Sequence, residues 1–488
     1  MNRRSLVSFG VLVLGVAVLL TATIAAQVPT PLAKPKAAAK AVPPPTGKPY
    51  TPPKTPDGQP DLQGFWTNST YVPLERPQGV AKEFYTPAEA EAAIKAAAAR
   101  EAEQTEPGTT ADVHYDFSQF GLDRSQSTIA ASLRTSLIVD PPDGKIPPVN
   151  AKGQKRAGDR AAARKAAGGQ YDSVQNMPIG SRCIIMGGSG PPMMNAGYNA
   201  NYQIVQSAGY VMILTEMIHD VRIIPLDNRP QAPQGVRQWV GLSRGRWEGN
   251  TLVVETTNFN GKNAFRGGSE NMKVTERFTR VSDDVIDYKF TVEDPETWDR
   301  AWTAEAPMAK TEGPIFEFAC HETNYGIANI LAGARAEDKQ KANRRRRDRT
   351  DMRAKLVLVV ACAGLLLASG QVRAHHAFAA EFDVNKPLTL KGSLIKWEMV
   401  NPHSWFHVAV KEPDGKVTEW LIEGGSPNQL IRMGVTKNTV PIGTELTIEG
   451  YRAKDGGLKA VGRNFVLPDG SRLFLGGSAP GGTPADKK

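Results

Sequence analysis

Between Tyr202 and Glu293 the chain is a succession of short apolar runs broken at nearly regular intervals. "YQIVQ", "YVMILTE" and "VRIIPL" are β-branched stretches divided by Gly or by His-Asp, and each predicts a strand. "WVGLSRGRWEGNTLVVETTNF" predicts a hairpin turning at Glu248-Gly249-Asn250. In "VIDYKFTVED" the residues Ile286, Tyr288, Phe290 and Val292 fall on one face, and Asp287, Lys289, Thr291 and Glu293 on the other. Consecutive short strands with turn signals predict an antiparallel sheet closed as a barrel or folded as a sandwich, with peripheral helices.

Two stretches ahead of it carry a different pattern. "YTPAEAEAAIKAAAAREAEQ" predicts a helix with Thr86 as N-cap and Pro87 at the first helical position. "KGQKRAGDRAAARKAAGG" reads as a surface helix or loop. The last hundred residues return to strands: "LTLKGSLIKWEMV", "SWFHVAVKE" and "VTEWLIEGG", then "TELTIEGYRA" and "KAVGRNFVL". Between the two groups, "SPNQLIRMG" predicts one short helix capped by Ser426 and ended by Gly434. Three strands, a helix and two strands is the order of a small OB-like five-stranded barrel. The fold class is therefore mainly β, in two domains.

The chain opens with a basic n-region, an apolar run and small residues near Ala25 and Ala26, the pattern of a secretory signal over 1–26. A membrane anchor is the alternative, and the small-residue end argues against it. Residues 27–59 are rich in Pro, Ala and Lys and predict an extended linker, so folded sequence is expected from 60 to 338. A basic linker follows at 339–351. Then "MRAKLVLVVACAGLLLASGQVRA" repeats the logic of a signal over 352–374: Met, two basic residues, an apolar core and Val372-x-Ala374. That core is short for a spanning helix, and an anchor there would invert the positive-inside expectation. The simplest account is two exported proteins joined end to end, with the second domain at 375–477 and a disordered tail at 478–488. Membrane contact is expected only if Lys355–Ser369 is not cleaved.

Charge changes the picture little. The net charge of +9 sits largely in the n-regions and in "NRRRRDRTDMR", which lacks the aromatics and Gly of a basic binding surface, so nucleic acid is not an expected partner. Of three cysteines, Cys362 lies in the internal apolar run. Cys183 and Cys320 are left as an even pair, and export makes a disulfide the default reading, with a catalytic thiol as rival. Such a bridge would be worth about 4 kcal/mol in the chain-entropy model.

"AHHAFAAEFD", "GSLIKWEMVNPHSW" and "GTELTIEGYRAKDG" resemble a family of small exported bacterial proteins of unknown function, over nearly all of the second half. "PDLQGFW", "PLERP", "SRGRWEGNTLVVETTNF", "ERFTRV" and "FACHETNY" resemble a second uncharacterised exported family, over roughly Pro60 to Arg335. The resemblances imply export and domain boundaries but no chemistry.

Four of the seven histidines lie in the second half: His375, His376, His403 and His407. A cut after Ala374 would make His375 the N-terminus, able to hold copper through its amine and ring with His376 completing a brace. In "NPHSWFHV" strand alternation would put His403, Trp405 and His407 on one face, and imidazole nitrogens suit copper. The competing reading is a solvated terminus and surface histidines. Trp397, Trp405 and Trp420 are candidate stacking platforms, with core packing the plainer role. In the first half Glu216, His219, His321 and Glu322 are candidates for an acid/base site, if their segments meet in one pocket. Three functions follow: a periplasmic binding protein for a small molecule or protein with a copper-binding module, an exported enzyme, or an interaction module without a small ligand.

Overall fold

The structure is a computed structural model describing residues 50–101, 130, 132–186, 189–194, 199–227, 229–230, 232–262, 265–321, 325–355, 381–400, 403–432, 435–470 and 472–473. The signal-like N-terminal stretch, the apolar segment from 356 onward with Cys362, His375, His376, Glu322 and the tail lie outside the described residues.

The front half is a ten-stranded antiparallel sheet: β1 (Gly64–Thr67), β2 (Ile138–Asp140), β3 (Asn201–Ser207), β4 (Tyr210–Thr215), β5 (Val221–Pro225), β6 (Leu242–Glu248), β7 (Thr251–Thr257), β8 (Lys273–Ser282), β9 (Val285–Glu293) and β10 (Trp302–Lys310). The strands run in the order β5-β4-β3-β1-β10-β9-β8-β7-β6, with β2 added to β10. The two ends, β5 and β6, lie side by side, so the sheet is a nearly closed barrel. Gly245 makes that approach possible: a Cβ there would meet Leu226 Cδ2 at 2.7 Å and Ile224 Cγ2 at 2.8 Å. Ile286, Tyr288, Phe290 and Val292 are fully buried, as the alternation of β9 requires. They pack with Phe278, Leu252, Trp302 and Met308 into one apolar interior.

That interior also holds a charged pair. Arg222 meets Glu276 twice, at 2.5 and 3.1 Å, and Tyr288 donates to Glu276 at 2.8 Å. Burial, reinforced by the Glu276 charge, drives the Tyr288 hydroxyl pKa well above its ordinary value.

Helix α1 (Pro87–Glu101) begins in a capping box. Thr86 Oγ1 accepts from the Glu89 amide at 3.4 Å, and Glu89 Oε2 accepts from the Thr86 amide at 2.8 Å. The second stretch is helix α2 (Ala151–Ala166), capped by Asn150, which accepts from the Gly153 amide at 3.0 Å. Cys183 and Cys320 form a disulfide with Cα atoms 5.6 Å apart, buried among Met186, Met217, Ile218 and Phe318. Helix α3 (Tyr325–Lys355) runs unbroken through residues 339–351 and carries the basic run.

The back half is built from β11 (Phe382–Glu398), β12 (Trp405–Lys411), β13 (Val417–Glu423), β14 (Glu445–Ala453), β15 (Lys459–Val466) and the two-residue β16 (Arg472–Leu473). Helix α4 (Pro427–Arg432) stands between β13 and β14. The order is β13-β12-β11-β14-β15-β16, and a parallel β13–β15 pairing closes it. This is the OB-type arrangement, with β16 as a sixth strand beyond the five read from the sequence. Long β11 serves both neighbours by breaking register near Pro387 and again near Lys396. Trp397, Phe406, Val408, Trp420 and Ile422 fill the barrel, with Trp397 stacked on Phe406 at 4.7 Å between centroids. Trp397 and Trp420 are thus core residues and not stacking platforms.

Candidate functional site

Strand β12 sorts its residues by alternation. Phe406 and Val408 face the barrel interior, so Trp405 and His407 face outward. Register then decides their neighbours. Trp405 stands opposite Glu398 on β11 and Glu423 on β13, while His407 stands opposite Lys396 and Leu421. The outward face of three strands therefore collects two histidines among carboxylates.

The contacts are close. His407 Nδ1 lies 2.6 Å from Glu419 Oε1, and its Nε2 lies 3.5 Å from Glu398 Oε1. His403, two residues before the strand, meets Glu423 Oε1 through Nδ1. Both histidines are mostly covered, with side chains 11% and 14% exposed. The Nε2 of His407, the Oε2 of Glu423 and the Oγ of Ser404 are buried without a hydrogen-bond partner among the described residues.

Electrostatics separates the carboxylates. Burial pushes Glu398 up, but the hydrogen bond and charge of Lys396, with His407, outweigh it, so its pKa falls below the ordinary value. Glu381, beside this face just ahead of β11, moves the other way. Burial and the nearby Glu423 charge raise it well above the ordinary carboxylate value. One carboxyl is held ionised, and another, close to the Glu423 that pairs with His403, is driven toward its neutral form.

From the first half, Tyr325 at the start of α3 covers Trp405 edge-on, with centroids 5.4 Å apart, and its hydroxyl donates to Glu398 at 3.3 Å. Trp405 is buried, with Tyr325 against it, and is not displayed for stacking. Among the described residues, no three His, Cys, Asp or Glu side chains are arranged to hold a metal ion. His403 and His407 share one outward face; His375 and His376 lie outside the described residues.

Of the front-half candidates, Glu216, His219 and His321 are among the described residues. His219 Nδ1 lies 2.8 Å from the Phe318 carbonyl, beside the disulfide. His219 and His321 are both exposed. Glu216 is fully buried, where it accepts from Asn201 at 2.6 Å and from Asn428 of the back half at 3.1 Å. Burial raises the pKa of Asp220, opposed by His219.

Sequence reasoning singled out the histidines but missed Lys396, Glu398, Glu419 and Glu423. The signal was present: in "LIKWE" and "TEWLIE" these charges alternate with the tryptophans and isoleucine that fill the core. Residues 362–462, which include this whole face, match a family of unknown function, DUF6152. No curated protein matches the chain, and no solved structure does. The back half is accordingly a domain of unknown function with an OB-type barrel, and its outward His-Glu face is its most concentrated chemistry.

Proposed function

We propose that this chain is an exported, periplasmic two-domain binding protein. Its OB-type module holds copper through His403 and His407. The amine and rings of His375 and His376 complete the set once the apolar segment before them is removed. The observation that carries the reading is the pairing of each of the two histidines with a carboxylate through Nδ1: His403 with Glu423, His407 with Glu419. A carboxylate on one ring nitrogen fixes the tautomer and turns the other nitrogen into a better ligand. On His407 that other nitrogen is buried and faces Glu398 Oε1 at 3.5 Å.

Export is supported by the two signal-like segments and by an even pair of bridged cysteines. The front half's likeness to an exported family, through "PDLQGFW" and "FACHETNY", points the same way. No helix among the described residues is long and apolar enough to cross a membrane.

The test is a competitive titration of Cu(I) and Cu(II) into protein isolated from the periplasm. His407→Ala is expected to weaken copper by roughly 100-fold or more, and Glu419→Gln, which removes only the orienting charge, by about 10- to 100-fold. Equal affinity in wild type, His403→Ala and His407→Ala would sink the reading.

A further inference from the structure

The two halves touch through pairs that take one member from each. Asn428 on α4 donates to Glu216 at 3.1 Å, and both side chains are buried. Lys459 on β15 donates to Asn329 on α3 at 2.6 Å. Lys454, just past β14, pairs with Glu337 one helical stretch further along α3. Tyr325 closes over Trp405. Three of these contacts are polar and one is aromatic, and on α3 they reach from Tyr325 to Glu337, its fourth turn.

Two of them are costly for either half alone. A buried carboxylate needs its donors, and Glu216 draws one of them from the back half. Trp405 points out of its own barrel, so without Tyr325 the back half would show a large aromatic ring on its strand face. The connection between halves, by contrast, carries a second signal-like sequence with a cleavage pattern at Val372-x-Ala374.

We propose that the back barrel docks on the front half through Trp405 on β12, α4 at Asn428 and the β14–β15 end at Lys454 and Lys459, centred on the first turns of α3, and that this contact holds without the covalent connection. Cleavage after Ala374 then yields a heterodimer of two β domains and not two independent proteins. Part of the strand face on which OB barrels commonly take oligonucleotides or sugars, at Trp405 and Glu398, is here covered by Tyr325 of the front half. This inference stands apart from the copper reading, since none of its contacts needs a metal.

The experiment uses the full chain with a site-specific protease sequence placed within residues 356–374, cut after purification and run on size exclusion with light scattering. Wild type is expected to elute at the mass of the uncut chain at micromolar concentration. Asn428→Asp sets a second carboxylate against Glu216 and is expected to weaken association by roughly 100-fold, releasing two species. Wild-type halves that separate while each keeps its β circular dichroism would overturn the proposal. Should the cut halves precipitate, zero-length carbodiimide coupling of the freshly cut chain at low concentration supplies the readout. An amide between Lys454 and Glu337 supports docking. Its absence, in a sample where the helical pair Lys155–Asp159 does couple, overturns it.

Discussion

Asp287 shows how one side chain on the outside of the barrel sets a pH dependence. Burial and the neighbouring Glu305 push its carboxyl up to about 6, against the pull of Lys289 and Arg134. A raised carboxyl is charged only at a cost in the folded state, so its contribution to stability is full below its unfolded value near 3.8 and is lost as pH rises through about 6. Asp287→Asn escapes that loss. Denaturant melts across pH should show the variant gaining stability over wild type above pH 6, by at most about 3 kcal/mol, with the difference vanishing below about pH 4. Parallel curves for the two proteins would refute the account. At this scale the sequence was only partly legible. The histidines stood out because they are few, and Cys183 with Cys320 because they were the two left over. Which carboxylate faces His407 depends on strand register, and which partner Glu216 finds depends on a helix more than two hundred residues away.

Local pattern carried much further for elements. The alternation of β9, the turn at Gly249, the capping box at Thr86 and the helix between β13 and β14 were all readable, because each is decided by neighbours in the chain. The three-strand, helix, two-strand order was enough to anticipate the OB-type barrel. Closure was not readable: whether ten strands form a sandwich or a barrel is decided where β5 meets β6. Gly245 marks that seam, and it sits in a strand with no turn to explain it. Gly245→Val should force Ile224 and Leu226 apart and destabilise the front half by about 1–3 kcal/mol. The loss should appear in thermal melts together with faster hydrogen exchange in β5 and β6. Unchanged stability would mean that the seam is looser than described. The basic run "NRRRRDRTDMR" reads as a linker because nothing apolar repeats in it. It is helical as the continuation of a helix whose first turns are anchored on the back barrel.

For the whole molecule, two barrels are stapled differently. The front one is cross-linked by a disulfide spanning 137 residues, which stabilises chiefly by restricting the unfolded chain. The back one has no cysteine among its described residues and leans on its packed aromatics and on the front half. Its outward face is where the account concentrates: histidines oriented by carboxylates, a tryptophan roofed by Tyr325, and a domain of unknown function around them. The most direct test of the central claim is native mass spectrometry of the product isolated from the periplasm after growth with copper. The account predicts a species carrying bound copper, with a fragment that begins at His375 released on denaturation, and loss of the copper in His407→Ala. A chain that is metal-free in copper excess, or that keeps its copper when His403 and His407 are both replaced by Ala, would contradict it.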